Sequence, residues 1–275
     1  MKFPDNGIIH LENSLASCKI STFGGQILSY RPKTESKDVF WIGNLNKFDG
    51  ISAIRGGVPV CWPRFAAEEL NATLPRHGFA RISEWKINSI SVQEDKMEAV
   101  LSLPENKKFN VPLAATLSLT ITDHLECTLE TLNTGNEPFC FSEALHAYFN
   151  ISNKDEIILK GFADHEYKDA LNGSICKQSG DLKIKGEFDA AFLAHHSNIS
   201  LIDKGLNRII TLEKTGSETT VVWNPDKDLA EMTSGQYKNF ICVEPANQGE
   251  TFVTLEPHQK HKISVAISVK PLLTV

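Results

Sequence analysis

The stretch TLSLTITDHLECTL, residues 116–129, alternates with a period of two. Leu117, Leu119 and Ile121 fall between Thr116, Ser118, Thr120 and Thr122, and Leu125, Cys127 and Leu129 alternate with Glu126, Thr128 and Glu130. Successive side chains of a strand point to opposite faces, so this pattern predicts two half-buried strands with Asp123 and His124 as a two-residue hairpin turn. Further along, Asn133-Thr134-Gly135-Asn136 is a turn cluster, and Ile263, Val265, Ile267 and Val269 alternate with Ser264, Ala266 and Ser268. No segment carries an apolar helical stripe over three turns, and the βα alternation that a parallel sheet needs is missing. The expectation is an all-β protein: a single large antiparallel β-sandwich, one domain over residues 1–275, since no repeat, low-complexity tract or Pro/Gly-rich linker divides the chain.

A chain of 275 residues suits one such unit, because all-β domains routinely reach ~200–250 residues. Hydrophobic residues are 41% and charged residues 23%, ordinary for a folded soluble protein. The net charge of −6 argues against a nucleic-acid partner, which usually calls for a basic excess. Met1 to Glu12 has no apolar run suited to a signal-peptide core, and about 18 consecutive apolar residues occur nowhere. A cytoplasmic protein without a membrane partner is therefore expected. Cys18, Cys61, Cys127, Cys140, Cys176 and Cys242 are scattered with no C-x-x-C pair, so they read as buried, reduced thiols rather than as metal ligands.

Three places carry candidate chemistry. In Pro138 to Ile151, read as a strand, Phe139, Phe141, Leu145, Phe149 and Ile151 share the odd, apolar face, while His146 lies on an even face with Cys140, Ser142, Ala144, Tyr148 and Asn150. A lone strand histidine is more often structural, but a small polar face is what a sugar-lined groove requires. In Phe240 to Pro245, Glu244 ends an apolar run, so it is either at a rim or in a cleft where a bound polar group satisfies it. Between Ile51 and Arg81, Gly56-Gly57 and several prolines make an irregular surface containing Arg55, Arg64, Arg76 and Arg81. Those arginines form an anion pocket, because guanidinium forks match phosphate, or they pair with Glu68, Glu69 and Glu84.

The strings RGGVPVCWPRF, LPRHGFAR, SEALHAYF and ICVEPAN, with GGQILSY and VVWNP, occur in the order of signature segments of the glucose-6-phosphate 1-epimerases, or hexose-6-phosphate mutarotases, which the chain resembles over nearly its whole length. This branch of the aldose 1-epimerase superfamily implies a galactose mutarotase-like supersandwich. It implies that His146 is the acid–base group serving the ring oxygen and that Glu244 handles the proton of the C1 hydroxyl. It further implies that His77 contacts the sugar near its reacting end and that Arg55 and Arg81 hold substrate, with phosphate as their natural partner. No metal or organic cofactor is implied. The partner is a small-molecule hexose 6-phosphate, and the protein is expected to act as a monomer.

The chain departs from the family's pattern in three places. The segment that usually reads Asp-Arg-x-Tyr is Glu187-Phe188-Asp189-Ala190-Ala191-Phe192-Leu193, keeping Asp189 as a sugar-binding candidate without its neighbours. CWPRFA carries Arg64 and Ala66, and Arg76 stands where relatives often have glutamine or alanine. The added charge either strengthens phosphate preference or shifts which phosphorylated sugar is accepted. Trp62, Phe79 and Tyr148 are candidates to pack on the sugar's apolar face. His10, His124, His165, His195, His196, His258 and His261 have no motif context and read as surface or turn residues. Two other functions fit the same scaffold: a mutarotase for unphosphorylated aldoses, and a non-catalytic carbohydrate-binding protein.

Overall fold

The computed structural model describes residues 7–66 and 70–272, so the start of the N-terminal stretch above, and Glu68 and Glu69, lie outside the described residues. In chain order the strands are β1 (Ile8–Glu12), β2 (Ala16–Ser21), β3 (Gln26–Pro32), β4 (Val60–Cys61), β5 (Lys86–Val92), β6 (Met97–Ser102) and β7 (Leu113–Ile121). Next come β8 (Leu125–Asn133), β9 (Phe139–Phe141), β10 (Glu143–Leu145), β11 (Tyr148–Asn150), β12 (Ile158–Lys160), β13 (Glu166–Asp169) and β14 (Ile175–Lys177). The last are β15 (Phe188–Phe192), β16 (Ile199–Asp203), β17 (Arg208–Thr215), β18 (Thr219–Asn224), β19 (Phe240–Asn247), β20 (Val253–Leu255) and β21 (Lys260–Pro271). Among the described residues the only helices are short 3-10 turns, and none is long and apolar enough to cross a membrane.

Two eight-stranded antiparallel sheets dominate. The front sheet runs β14-β13-β15-β18-β19-β10-β4, with β11 also paired to β19, and the back sheet runs β12-β16-β17-β21-β8-β7-β6-β5. Their inner faces share one buried core, in which Leu117, Leu129 and Val265 of the back sheet join Leu145, Phe192, Val222 and Val243 of the front sheet. This is the all-β sandwich expected from the alternation, and β1–β3 and the β9–β20 ribbon flank it.

The hairpin of β7 and β8 shows how the pattern fixes the register. Leu117 pairs with Leu129, Leu119 with Cys127 and Ile121 with Leu125, all buried. Each such aliphatic side chain taken from water contributes roughly 1.5–3 kcal/mol. The turn is Thr122–His124, three residues rather than the two expected, because a two-residue turn would pair Thr122 with Leu125 and slip the whole strand onto its wrong face.

Two histidines read as surface residues are not. His195 is fully buried between Thr220 Oγ1 at 2.9 Å and the Gly161 carbonyl at 3.0 Å, and burial pushes it down to about 4, so it is a neutral core group. His261 on β21 lies 3.0 Å from the buried Glu143 carboxylate of β10, which also accepts a bond from Asn247 of β19 at 3.1 Å, tying the two sheets together. The six cysteines are all free, but Cys140 and Cys176 are only half-buried.

Candidate active site

Pro138 to Ile151 is not one strand. It breaks into β9, β10 and β11, and at the second break the Ala147 N–H donates to the Leu145 carbonyl at 2.9 Å while the His146 N–H donates to the Pro59 carbonyl at 3.0 Å. His146 is thus the centre of a three-residue turn set into the sheet. The even-face assignment survives the break: Ala144, His146 and Tyr148 turn from the core that holds Leu145, Ala147 and Phe149.

Opposite the break lies β19, buried at every position. Tyr148 pairs with Cys242 and Ala144 with Ala246, so Glu244 falls beside His146. Pro245 sits in mid-strand without harm, because the alternation from Val243, whose N–H donates to the Ala147 carbonyl at 3.2 Å, directs its missing N–H at this gap. Glu244 is therefore in a cleft and not at a rim.

His146 Nδ1 approaches Glu244 Oε1 to 3.1 Å without the alignment of a hydrogen bond, and His146 Nδ1 and Glu244 Oε2 have no hydrogen-bond partner among the described residues. Burial, and then the charges of His77, Arg81 and Arg55, pushes His146 well below its ordinary value. Burial, and then the charge of Asp189, pushes Glu244 well above the carboxylate range. Burial thus disfavours the charged form of each group.

All seven site residues expected from the sequence, His146, Glu244, His77, Arg55, Arg76, Arg81 and Asp189, line one cavity of about 570 Å³, a size suited to a small organic ligand. His77 adopts φ 64 in the turn before Gly78, where a Cβ would lie 2.0 Å from the Trp62 carbonyl oxygen. Its Nδ1 accepts the Ala66 N–H at 3.3 Å, leaving Nε2 to carry the proton. Burial first, then Arg81, Arg76, Arg55 and Arg64, pushes His77 down to about 3, so it is a neutral donor. Asp189 and Ala191 of β15 face the cavity while Ala190 and Phe192 face the core, and burial raises the Asp189 carboxyl against the lowering charge of Arg76.

The arginines divide. Arg55 donates from Nε to Glu231 at 2.6 Å and from a terminal nitrogen to the Tyr148 hydroxyl at 3.3 Å. Arg81 donates to the Arg76 carbonyl at 3.2 Å, and its buried Nε has no partner among the described residues. Arg64 is turned to the carbonyls of Ala72 and Leu74 and does not line the cavity. Of the aromatic candidates only Tyr148 reaches the site; Trp62 and Phe79 are core, with Trp62 Nε1 bonded to Thr131 at 2.9 Å. Trp223 lines the cavity edge-on to His146 at 6.0 Å. It was missed although Val221 and Trp223 alternate on one face; Glu231 had no sequence signal.

The chain is 30% identical over 261 residues to a "Putative glucose-6-phosphate 1-epimerase" of Escherichia coli K12, covering 91% of this chain and 86% of that one. It is 29% identical over 276 residues to a protein of the same description from Cenchrus ciliaris, covering 92% and 81%. The fold superposes on the crystal structure of a "putative mutarotase (YeaD)" from Salmonella typhimurium with a TM-score of 0.88 at 23% identity, over 96% of this chain and 90% of that one. The aldose 1-epimerase family matches residues 7–268, and the chain belongs to that family.

Proposed function

We propose that the protein is a hexose-6-phosphate mutarotase, interconverting the α and β anomers of glucose 6-phosphate by opening and reclosing the ring. The observation that carries this is the meeting of His146 and Glu244 at 3.1 Å in a cavity walled by Arg55, Arg76 and Arg81. Such a substrate brings about −1.5 to −2 charges near pH 7. In a chain of net charge −6, local guanidinium groups must overcome the overall field. Arg81, whose Nε has no partner among the described residues, and Arg76 are the freer phosphate donors, and Arg55 is held by Glu231 and Tyr148.

In the proposed cycle the proton first crosses from Glu244 to His146. The Glu244 carboxylate takes the proton of the C1 hydroxyl, His146 gives its proton to the ring oxygen, the C1–O5 bond breaks and C1 becomes an aldehyde. Rotation about C1–C2 and the reverse steps close the ring on the other face. One proton enters the substrate and one leaves it, so the pair ends ring opening in the neutral partition that burial favours. Each well-placed acid or base contributes about 10²–10⁴-fold. Free thiols support a reducing compartment, and we take the enzyme to be a cytoplasmic, single-domain monomer acting without nucleic acid.

Saturation-transfer NMR on glucose 6-phosphate and glucose tests the substrate class. Faster anomer exchange of the phosphorylated sugar is expected. Equal rates would assign the site to unphosphorylated aldoses, and ligand broadening without exchange would leave a binding protein.

A further inference from the structure

Cys242 shares a face of β19 with Glu244, one alternate position away, and ring opening gives it no task. It belongs to a buried apolar cluster with Trp41, Tyr148, Met232 and Phe240, against which Trp223 and Leu229 pack. Ligand atoms of His146, Cys242 and Glu244 all lie within 4.8 Å of one another. Two of these residues also present buried atoms without a partner among the described residues, His146 Nδ1 and Glu244 Oε2, on side chains left 10% and 1% exposed. Unpartnered buried donors and acceptors are costly until a bound group satisfies them. Substrate does so in turnover, and a small cation of matching chemistry would do so in its place.

Imidazole, thiolate and carboxylate are the nitrogen, sulfur and oxygen donors that Zn²⁺ accepts, and three protein ligands leave its fourth position open. The thiolate discriminates against Mg²⁺ and Ca²⁺, which prefer oxygen alone. Tetrahedral bonds of about 2.0–2.3 Å set nitrogen, oxygen and sulfur donors roughly 3.3–3.6 Å apart, so donors that lie within 4.8 Å of one another must close by up to about 1.5 Å.

We propose that His146, Cys242 and Glu244 form an inhibitory zinc site that takes one Zn²⁺ per chain with its open position toward the cavity. Binding releases two protons to water, the thiol proton of Cys242 and the one shared by His146 and Glu244. The resulting Zn²⁺, thiolate and carboxylate sum to zero charge, which suits an apolar surrounding. Occupancy removes both reacting groups at once. That inhibitory consequence rests on the catalytic reading of His146 and Glu244, whereas the binding does not.

The test titrates reduced, metal-free protein with Co²⁺, read by its thiolate charge-transfer absorption, and with Zn²⁺, read by calorimetry and by anomer exchange before and after EDTA. One equivalent, a thiolate band and EDTA-reversible loss of exchange are expected. Cys242→Ser should lose the band, bind Zn²⁺ at least about 10-fold more weakly, as even an outer-shell change can do, and keep most of its own metal-free exchange rate at the Zn²⁺ concentration that half-inhibits the unsubstituted protein. Cys242→Ala gives the same readouts if the serine variant does not fold. No stoichiometric binding overturns the site, and so does a band and affinity unchanged in these variants, which would assign the bound thiol to the half-buried Cys140 or Cys176. If Zn²⁺ binds through Cys242 while exchange continues undiminished, the zinc site stands and the catalytic assignment falls.

Discussion

The rings of His146 and Tyr148 stack with centroids 4.9 Å apart and planes only 8° from parallel, and the Tyr148 hydroxyl accepts a bond from Arg55 at 3.3 Å. One side chain thus holds the plane of the imidazole and touches an arginine of the cavity wall. Removing the ring should lower turnover through His146. Aromatic stacking contributes ~0.5–1.5 kcal/mol, so Tyr148→Leu is expected to reduce kcat by about 2- to 10-fold, while Tyr148→Phe, which keeps the stack, leaves kcat near wild type and raises KM. Equal kcat losses in the two variants would show that the hydroxyl, not the stack, matters.

Arg81 and Arg55 should separate in steady-state kinetics. Arg81 has a buried nitrogen without a partner among the described residues, whereas Arg55 is engaged by Glu231 and Tyr148. Hydrogen bonds to charged groups contribute ~1.5–3 kcal/mol, so Arg81→Ala should lower kcat/KM for glucose 6-phosphate by about 10- to 100-fold and barely change it for glucose. Arg55→Ala should act less selectively, since it also releases Tyr148. Equal losses on both sugars in Arg81→Ala would remove its phosphate role.

Glu244 should lower stability at neutral pH. Its folded-state pKa is raised by burial, so the stability it allows is fully present below the unfolded value of about 4.3 and is lost as pH rises toward the folded one. Glu244→Gln removes the ionisation. The variant is expected to melt higher than wild type at pH 7, by roughly 2–4 °C for each 1 kcal/mol relieved, and the gain should vanish near pH 4. A lower melting temperature at pH 7 would mean that Glu244 is held as a charged partner of His146.

The β7, β8 and β21 strands of the back sheet were legible because each buries one face and leaves the other wetter, so Leu117, Leu119 and Ile121 stand out against Ser118 and Thr120. The front sheet was less so. β19 is buried on both faces, so its sequence shows no alternation, and the breaks around His146 depend on pairing with β4, β19 and β20, none of them near in sequence. The seven site residues came from short motifs and from the family resemblance, and their convergence followed from long-range register that no local pattern encodes. The withdrawal of both reacting groups from water is likewise a product of that register. A sequence cannot show that an imidazole and a carboxylate are both withdrawn from water.

The central claim is that His146 and Glu244 act as one acid–base pair, and saturation-transfer NMR on glucose 6-phosphate measures it directly. His146→Ala and Glu244→Gln should each slow anomer exchange at saturating substrate by at least about 10²-fold, and the double variant should be little slower than either, because the two groups share one proton cycle. Exchange at the wild-type rate in both folded single variants would contradict the account.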